Sequence, residues 1–156
     1  MAAELVHATA ITVGGRAALI RGPSGAGKSD LALRCLALAP SALLPEAAQL
    51  VSDDQVQLET RNGAVYARAP ATIAGLIEVR GLGIHRLQIP AAEAVVTLAV
   101  DLLLPHDPSP ERHPDPWPHV ALMGVALPLL RLRPFEASAP VKLLLALQNA
   151  ALGRGI

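Results

Sequence analysis

Aromatic side chains are scarce in this sequence of 156 residues: they make up 2% of it, as one Phe, one Trp and one Tyr. Single-stranded nucleic acid is bound by stacking bases on several aromatic rings, which this chain lacks. An excess of charge of one sign is missing too, because 13 Lys and Arg balance 13 Asp and Glu. Phosphate backbones and anionic membrane surfaces attract basic proteins. We therefore expect neither nucleic acid nor a membrane among the partners.

Cysteine and long hydrophobic runs are also in short supply. The single cysteine, Cys35, excludes an intramolecular disulfide and is expected to be a buried thiol on a helix. The first residues lack the pattern of a signal peptide, and no run approaches the roughly 18 apolar residues of a membrane span. Hydrophobic residues nevertheless make up 52% of the chain. We expect one cytoplasmic domain over residues 1–156, with its core at about residues 5–150.

Hydrophobic patterns and turn residues predict a mixed α/β organisation. Helices are predicted at residues 28–38 and from a cap at Ser138 through Ala150. Asn62-Gly63 predicts a tight hairpin turn. Closely spaced prolines predict a long loop at residues 105–118, because proline removes a backbone donor. The predicted strands are residues 5–13, 16–21, 49–52, 55–60, 64–68, 75–79, 93–104 and 127–132.

The most specific local motif is a glycine-rich loop between a predicted strand and a predicted helix. It matches G-x-x-x-x-G-K-[ST], the signature of a phosphate-binding loop. In such a loop the backbone N–H groups face phosphate oxygens, the lysine reaches the β and γ phosphates, and the hydroxyl binds Mg²⁺. The predicted nucleotide-binding residues are Gly22, Pro23, Ser24, Gly25, Ala26, Gly27, Lys28 and Ser29.

Acidic residues follow at two further places. Asp53-Asp54 comes directly after an apolar strand, where a phosphate-loop fold presents its Mg²⁺-binding acid; in isolation the pair would be typical of a turn. Glu78 and Arg80 are two residues apart, so on one strand they would point the same way and could hold a metal and a phosphoryl group. The alternative for this second pair is a solvated sheet face.

Together these segments resemble the catalytic domain of the HPr kinase/phosphorylase family. The matching pieces are Val6-His7, residues 22–29 followed by Asp30, residues 50–54, and residues 78–84. The resemblance implies a P-loop-containing fold related to phosphoenolpyruvate carboxykinase, with a mixed β-sheet and flanking helices. It also implies a short form that consists of the catalytic domain only.

The resemblance further implies an activity and its cofactors. The activity is ATP- and Mg²⁺-dependent phosphorylation of a serine on the phosphocarrier protein HPr, with phosphate-dependent dephosphorylation that releases pyrophosphate. A homo-oligomer, a hexamer in the family, is implied as well. At residues 132–136 the chain departs from a more basic stretch of the family.

The same resemblance implies roles for individual residues. Lys28 and the loop would hold phosphates, while Ser29 and Glu78 would bind Mg²⁺. Asp54 would take the serine proton in the forward reaction and return a proton in the reverse reaction, and Asp53 would support it. Catalytic positions of the family are also matched by His7, Arg80 and, in the proline-rich loop, Arg112.

Two other functions remain open on the same scaffold. A small-molecule kinase would phosphorylate a metabolite and not HPr. A nucleotide-sensing regulator would bind ATP without turnover, although a degenerate site would be free to lose Asp53, Asp54 and Glu78. Because aromatics are few, we also expect loose selectivity for the nucleotide base.

Overall fold

A mixed β-sheet with flanking helices accounts for most of residues 2–151, the part of the chain that the computed structural model describes. Neither helix in this part is long and apolar enough to cross a membrane. The strands are β1 (Ala3–His7), β2 (Thr9–Val13), β3 (Arg16–Arg21), β4 (Gln49–Ser52), β5 (Gln55–Arg61), β6 (Ala64–Arg68), β7 (Leu76–Val79), β8 (Gly83–Arg86), β9 (Ala94–Leu102), β10 (His119–Leu122) and β11 (Val125–Leu132), and the helices are α1 (Lys28–Ala37) and α2 (Ala139–Ala151).

The main sheet has both parallel and antiparallel pairs, as predicted. Its order is β1-β5-β6-β9-β3-β2-β4, and β11 adds to β9 and carries β10. The central strand β3 runs parallel to β9 and antiparallel to β2. A separate hairpin consists of β7 and β8. The glycine-rich loop therefore leaves the sheet from a central strand, whose position is fixed on both sides.

Side chains of the central strands alternate between two hydrophobic cores, one on each face. Ile11, Ala18 and Ile20 belong to the first core, which also contains the buried apolar residues of α1 and α2. Ala10 and Leu19 belong to the second core, together with buried residues of β5 and β6. Among the described residues both cores are aliphatic, with many alanines and no aromatic ring. Small side chains let these layers approach closely.

The first predicted strand, residues 5–13, is wrong as one continuous element. The strand is interrupted at Ala8: β1 pairs with β5, whereas β2 pairs with β3 and β4. At the break the Ala8 N–H donates to the Asp54 carbonyl at 3.1 Å. A hydrophobic pattern does not reveal where a strand changes its partners.

Most other predicted elements are confirmed, with ends shifted by a few residues. The helices, the hairpin at Asn62-Gly63 and the proline-rich loop are where the sequence predicts them. Strands β8 and β10 were not predicted. Every residue of β8 is exposed, so this strand has no buried face to produce a hydrophobic pattern.

Candidate active site

The glycine-rich loop connects the end of β3 to the start of α1, which is the arrangement that its motif requires. Gly27 caps the helix with φ of 103° and ψ of 19°, a conformation that side-chain-bearing residues rarely adopt. A Cβ atom at Gly27 would also lie 2.9 Å from the ring of Phe135. The loop backbone therefore requires glycine here, and the free N–H groups at the helix start are available to an anion.

An ion pair fixes the strand end from which this loop leaves. Arg21, the last residue of β3, donates from Nε to Asp101 Oδ1 at 2.7 Å and from Nη2 to Oδ2 at 3.0 Å. Two parallel hydrogen bonds restrain both side chains. Sequence reasoning missed this pair, because the parallel pairing of β3 and β9 is what sets Arg21 opposite Asp101.

The lysine of the motif is buried within the loop. Lys28 Nζ donates to the carbonyl of Gly22 at 2.7 Å and to that of Pro23 at 3.1 Å. Burial lowers the pKa of Lys28 below its ordinary value, while the negative charges of Asp54 and Asp53 act in the opposite direction. An ammonium group has three donors, so one N–H remains for a further acceptor such as a phosphate oxygen.

Asp53 is a buried acceptor that joins three elements. Its Oδ1 accepts hydrogen bonds from the hydroxyls of Ser29 at 2.6 Å and Thr9 at 2.9 Å. Its Oδ2 accepts the backbone N–H of Glu78 at 3.0 Å. The carboxylate thereby links the start of α1, strand β2 and strand β7 around one point. Thr9 was not predicted as a site residue, although a threonine in an apolar strand signals a buried hydroxyl that needs a partner.

Asp54 lies in a different environment from its neighbour. Its backbone has φ of 69°, and its side chain is 69% exposed. Its Oδ1 lies 2.9 Å from His7 Nε2, across 47 residues of sequence. The two consecutive aspartates thus face opposite surroundings, Asp53 inside the protein and Asp54 towards solvent.

Glu78 and Arg80 lie at the edge of the same site, but not on one strand. Strand β7 ends at Val79, and Arg80 is in the turn that follows. The prediction that both residues share a strand face was therefore wrong. Both side chains are nevertheless exposed and line the same cavity. Arg80 therefore reaches the cavity from the turn and not from the strand.

One open cavity of about 470 Å³ collects most of the predicted residues. The loop contributes Ser24, Gly25, Gly27, Lys28 and Ser29 to its lining. Phe135, which is 70% exposed, lies at its edge. Gly22 and Pro23 contribute the carbonyls that hold Lys28, and Ala26 is buried under the loop. The other predicted residues in the lining are His7, Asp54, Glu78 and Arg80.

Arg112 is not brought to this cavity. It is exposed on the proline-rich loop and lines a separate space of about 940 Å³, bounded by that loop, β11 and α2. The sequence match that singled out Arg112 carried no spacing constraint, unlike the other motifs. Its part in any reaction at the glycine-rich loop stays a prediction.

The donor atoms present fit a metal ion that arrives with a phosphate ligand. Within residues 2–151 no cluster of three or more His, Cys, Asp and Glu side chains forms a dedicated metal cage. The Ser29 hydroxyl contacts the Asp53 carboxylate, and Glu78, whose backbone N–H also donates to Asp53, lines the same cavity as Ser29. Mg²⁺ is commonly held by one or two carboxylates together with substrate phosphates. This oxygen set therefore suits Mg²⁺ better than zinc.

Known proteins are similar to this chain in sequence and in fold. Residues 1–97 match the protein family described as the HPr Serine kinase C-terminal domain. The HPr kinase/phosphorylase of Clostridium beijerinckii is 38% identical over 79 residues, which are 51% of this chain and 24% of that protein. That of Mycoplasmopsis pulmonis is 35% identical over 103 residues, or 62% of this chain and 31% of that protein. The matched segments thus span less than a third of these relatives.

A solved structure extends the likeness to the rest of the chain. The Hpr(Ser) kinase/phosphatase from Coxiella burnetii superposes with a TM-score of 0.77 and 22% sequence identity, covering 96% of this chain and 97% of that one. At this identity the comparison establishes the fold.

Fold and site together define a mixed α/β protein with a glycine-rich loop at the end of a central strand and paired aspartates beside it. Since the family match covers well over half of the sequence, the chain belongs to the family of the HPr serine kinase C-terminal domain.

Proposed function

We propose that this chain is an ATP-dependent protein serine kinase that phosphorylates HPr. The observation that carries the proposal is the division between its two aspartates: Asp53 is buried and fixed by three donors, whereas Asp54 is exposed in the cavity beside His7. Phosphoryl transfer requires little covalent chemistry but close positioning and neutralisation of charge. Asp53 supplies the positioning, and Asp54 is free to meet an incoming hydroxyl.

The glycine-rich loop would hold the triphosphate. The backbone N–H groups of Gly25 and Gly27, and those at the start of α1, would provide donors for the phosphate oxygens. Lys28 would donate its remaining N–H to the β and γ phosphates. Arg80, in the turn at the edge of the cavity, would neutralise charge on the transferring group.

Asp54 would act as the general base for the acceptor serine. The serine oxygen forms a bond to the γ phosphorus while the bond from phosphorus to the ADP oxygen breaks. The serine proton passes to the Asp54 carboxylate, and the products are phosphoserine and ADP. A hydrogen bond from His7 to Asp54 Oδ1 would orient the carboxylate and leave Oδ2 for that proton.

Ser29, Asp53 and Glu78 would hold Mg²⁺ together with the nucleotide. A bound magnesium ion neutralises charge on the β and γ phosphates. The chain's own part is to keep the Ser29 hydroxyl and the Asp53 carboxylate in contact, which they are at 2.6 Å. Glu78 is held close by its backbone bond to Asp53.

The reverse activity uses the same groups. Inorganic phosphate would attack the phosphorus of phosphoserine, and the serine oxygen would leave with the proton held by Asp54. The products are serine and pyrophosphate. With phosphate in the place of the β phosphate of ADP, the serine oxygen leaves along the path by which it attacks, so one carboxylate would serve both proton transfers.

The setting of the enzyme is part of the same proposal. Residues 1–156 would form one catalytic domain that works in the cytoplasm, where ATP is available. A homo-oligomer, hexameric as the family resemblance implies, would be the functional form.

Transfer of ³²P from labelled ATP to HPr tests the proposal. We expect Asp54→Asn to lower the rate at least about 100-fold, since general-base catalysis contributes roughly 10²–10⁴, and to leave nucleotide binding intact. Glu4→Gln, which alters an exposed carboxylate on β1, should keep the wild-type rate. Undiminished transfer by Asp54→Asn would remove Asp54 from the mechanism. Label on a metabolite and none on HPr would identify a small-molecule kinase instead.

A further inference from the structure

We infer that Thr9 is a positioning residue for phosphoryl transfer and acts by fixing both aspartates to the sheet. The inference rests on the proposed function. It concerns a residue that neither the glycine-rich motif nor the acidic motifs include, and it assigns to strand β2 a direct part in the geometry of the site.

The hydroxyl of Thr9 connects to each aspartate separately. Its Oγ1 donates to Asp53 Oδ1 at 2.9 Å and accepts the backbone N–H of Asp54 at 3.3 Å. Thr9 is fully buried, at 0% exposure. The hydroxyl oxygen donates its one proton to Asp53 and accepts the Asp54 N–H on a lone pair. Both hydrogen bonds therefore depend on the same atom. No solvent is at hand to replace either hydrogen bond if that oxygen is removed.

The contacts of Thr9 belong to a run of three residues that holds Asp54 from one side. The His7 ring contacts its carboxylate at 2.9 Å, and the Ala8 N–H donates to its carbonyl at 3.1 Å. Thr9 then accepts its N–H. This run coincides with the break between β1 and β2, where the chain changes partner strands. The break thus supplies three contacts that an uninterrupted strand would direct elsewhere.

Asp54 requires such contacts because of its backbone. Its φ of 69° is in the left-handed region, which residues with side chains rarely adopt. Asparagine and aspartate tolerate this region better than most residues, but still need local support. The hydrogen bond from the Asp54 N–H to Thr9 provides it at the residue whose side chain faces the cavity.

Asp53 needs Thr9 for another reason. Its Oδ1 accepts from both Thr9 and Ser29. In the proposed reaction Ser29 also binds the metal ion that accompanies the nucleotide. Its hydrogen bond to Asp53 is therefore the one that changes during turnover. Thr9 lies in the sheet and offers a partner that does not change. Asp53 therefore keeps its orientation while Ser29 acts.

The test compares Thr9→Val, which removes the hydroxyl at nearly constant volume, with Thr9→Ser, which keeps it. Thr12→Val is the matched control, because Thr12 is a second buried threonine of β2 whose hydroxyl donates to the Arg16 carbonyl at 2.7 Å. For each variant the measurements are kcat and KM for ATP with HPr, and the free energy of unfolding in urea.

We expect Thr9→Val to lower kcat by about tenfold or more, which corresponds to about 1.4 kcal/mol of transition-state free energy. The KM for ATP should stay within about threefold, because the glycine-rich loop itself is unchanged. Thr9→Ser should recover most of kcat. Thr12→Val should be destabilised by a similar amount but keep the wild-type kcat.

Two results would overturn the inference alone: a kcat of Thr9→Val equal to that of Thr12→Val, or a Thr9→Ser variant no faster than Thr9→Val. If Thr9→Val does not fold, Thr9→Cys decides, because a thiol is a weak donor and acceptor. Wild-type kcat in Thr9→Cys would count against the role of the hydroxyl. Absence of phosphate transfer by the wild-type chain would instead overturn the proposed function, and this inference with it.

Discussion

At the scale of single residues, the site depends on how differently the protein treats two neighbouring carboxylates. Asp53 accepts three hydrogen bonds inside the protein, and Asp54 contacts one histidine at the surface. A strand would turn successive side chains to opposite faces. Here the left-handed backbone of Asp54 adds to that separation. One carboxylate becomes part of the scaffold, and the other becomes available for chemistry.

The single cysteine gives a prediction about stability and pH. Burial in α1 raises the pKa of the Cys35 thiol to about 12. In the unfolded chain the thiol ionises at its ordinary pKa of about 8.5. Stability contributed by the neutral thiol is therefore complete below that pH and is lost as the pH rises towards 12, because only the unfolded chain gains from ionisation.

We expect the free energy of unfolding to fall between pH 8 and pH 10 by about 1–2 kcal/mol more in the wild type than in Cys35→Ala. Urea unfolding at the two pH values measures this difference. Cys35→Ala removes volume as well as the thiol, so its stability at pH 8 is the internal reference. If the free energy of unfolding falls equally in both proteins, the Cys35 thiol ionises as readily in the folded as in the unfolded chain, and the prediction is wrong.

What the sequence reveals about residues depends on how local the signal is. Lys28, Ser29 and the two aspartates stand in short motifs whose spacing is fixed by the chemistry, and the structure brings them together at one cavity and its buried edge. Thr9 and the pair Arg21–Asp101 belong to no such motif, and their partners are 44 or more residues away, so the local sequence does not identify those partners. Their contacts exist only once the strand order is known.

At the scale of elements, the prediction succeeds where hydrophobic periodicity is long and fails where backbone direction changes. Helix α1 and the hairpin of β5 and β6 are found as predicted. The break at Ala8 was not foreseen, and Arg80 lies in the turn after β7 and not on a strand shared with Glu78; both features place side chains at the site. Periodicity reports which residues are buried, but contains no information on which strand they pair with.

The junction of β3, the glycine-rich loop and α1 gives a prediction about backbone conformation. Gly27 has φ of 103°, whereas Gly25 has φ of 81° and open space around it. Alanine at position 27 would be farther from the allowed left-handed region and would also meet the Phe135 ring. We expect Gly27→Ala to lower the free energy of unfolding by about 1–3 kcal/mol, measured in urea.

Gly25→Ala is the matched control and should cost about 1 kcal/mol, the strain of a left-handed residue alone. The double variant Gly27→Ala/Phe135→Ala separates the two causes. Relative to Phe135→Ala alone, the double variant should lose only the free energy of unfolding that comes from the strained backbone, because the clash with the ring is gone. Equal losses at positions 25 and 27 would contradict the special requirement for glycine at the helix cap.

At the scale of the whole molecule, the shortage of aromatics is met by two aliphatic cores, one on each face of the central strands. The three aromatic residues lie outside both cores: Tyr66 stacks under the Arg61 guanidinium, Trp117 donates to the Leu129 carbonyl, and Phe135 lies at the cavity. Close packing of alanine, leucine, valine and isoleucine is sufficient for a sheet of this size. The shortage of aromatic residues therefore limits stacking contacts with a ligand more than it limits the packing of the fold.

This distribution predicts loose recognition of the nucleotide base. Among the described residues that line the cavity, Phe135 is the one aromatic, and an exposed ring stacks on any base because every base has a π face. In the proposed function the motif residues would contact the phosphates, which ATP and GTP share. We expect kcat/KM for GTP within about tenfold of that for ATP, a difference of about 1.4 kcal/mol or less, measured by phosphate transfer to HPr. Phe135→Ala should lower both values without changing their ratio, whereas strict dependence on ATP would require a base-reading contact that this cavity does not show.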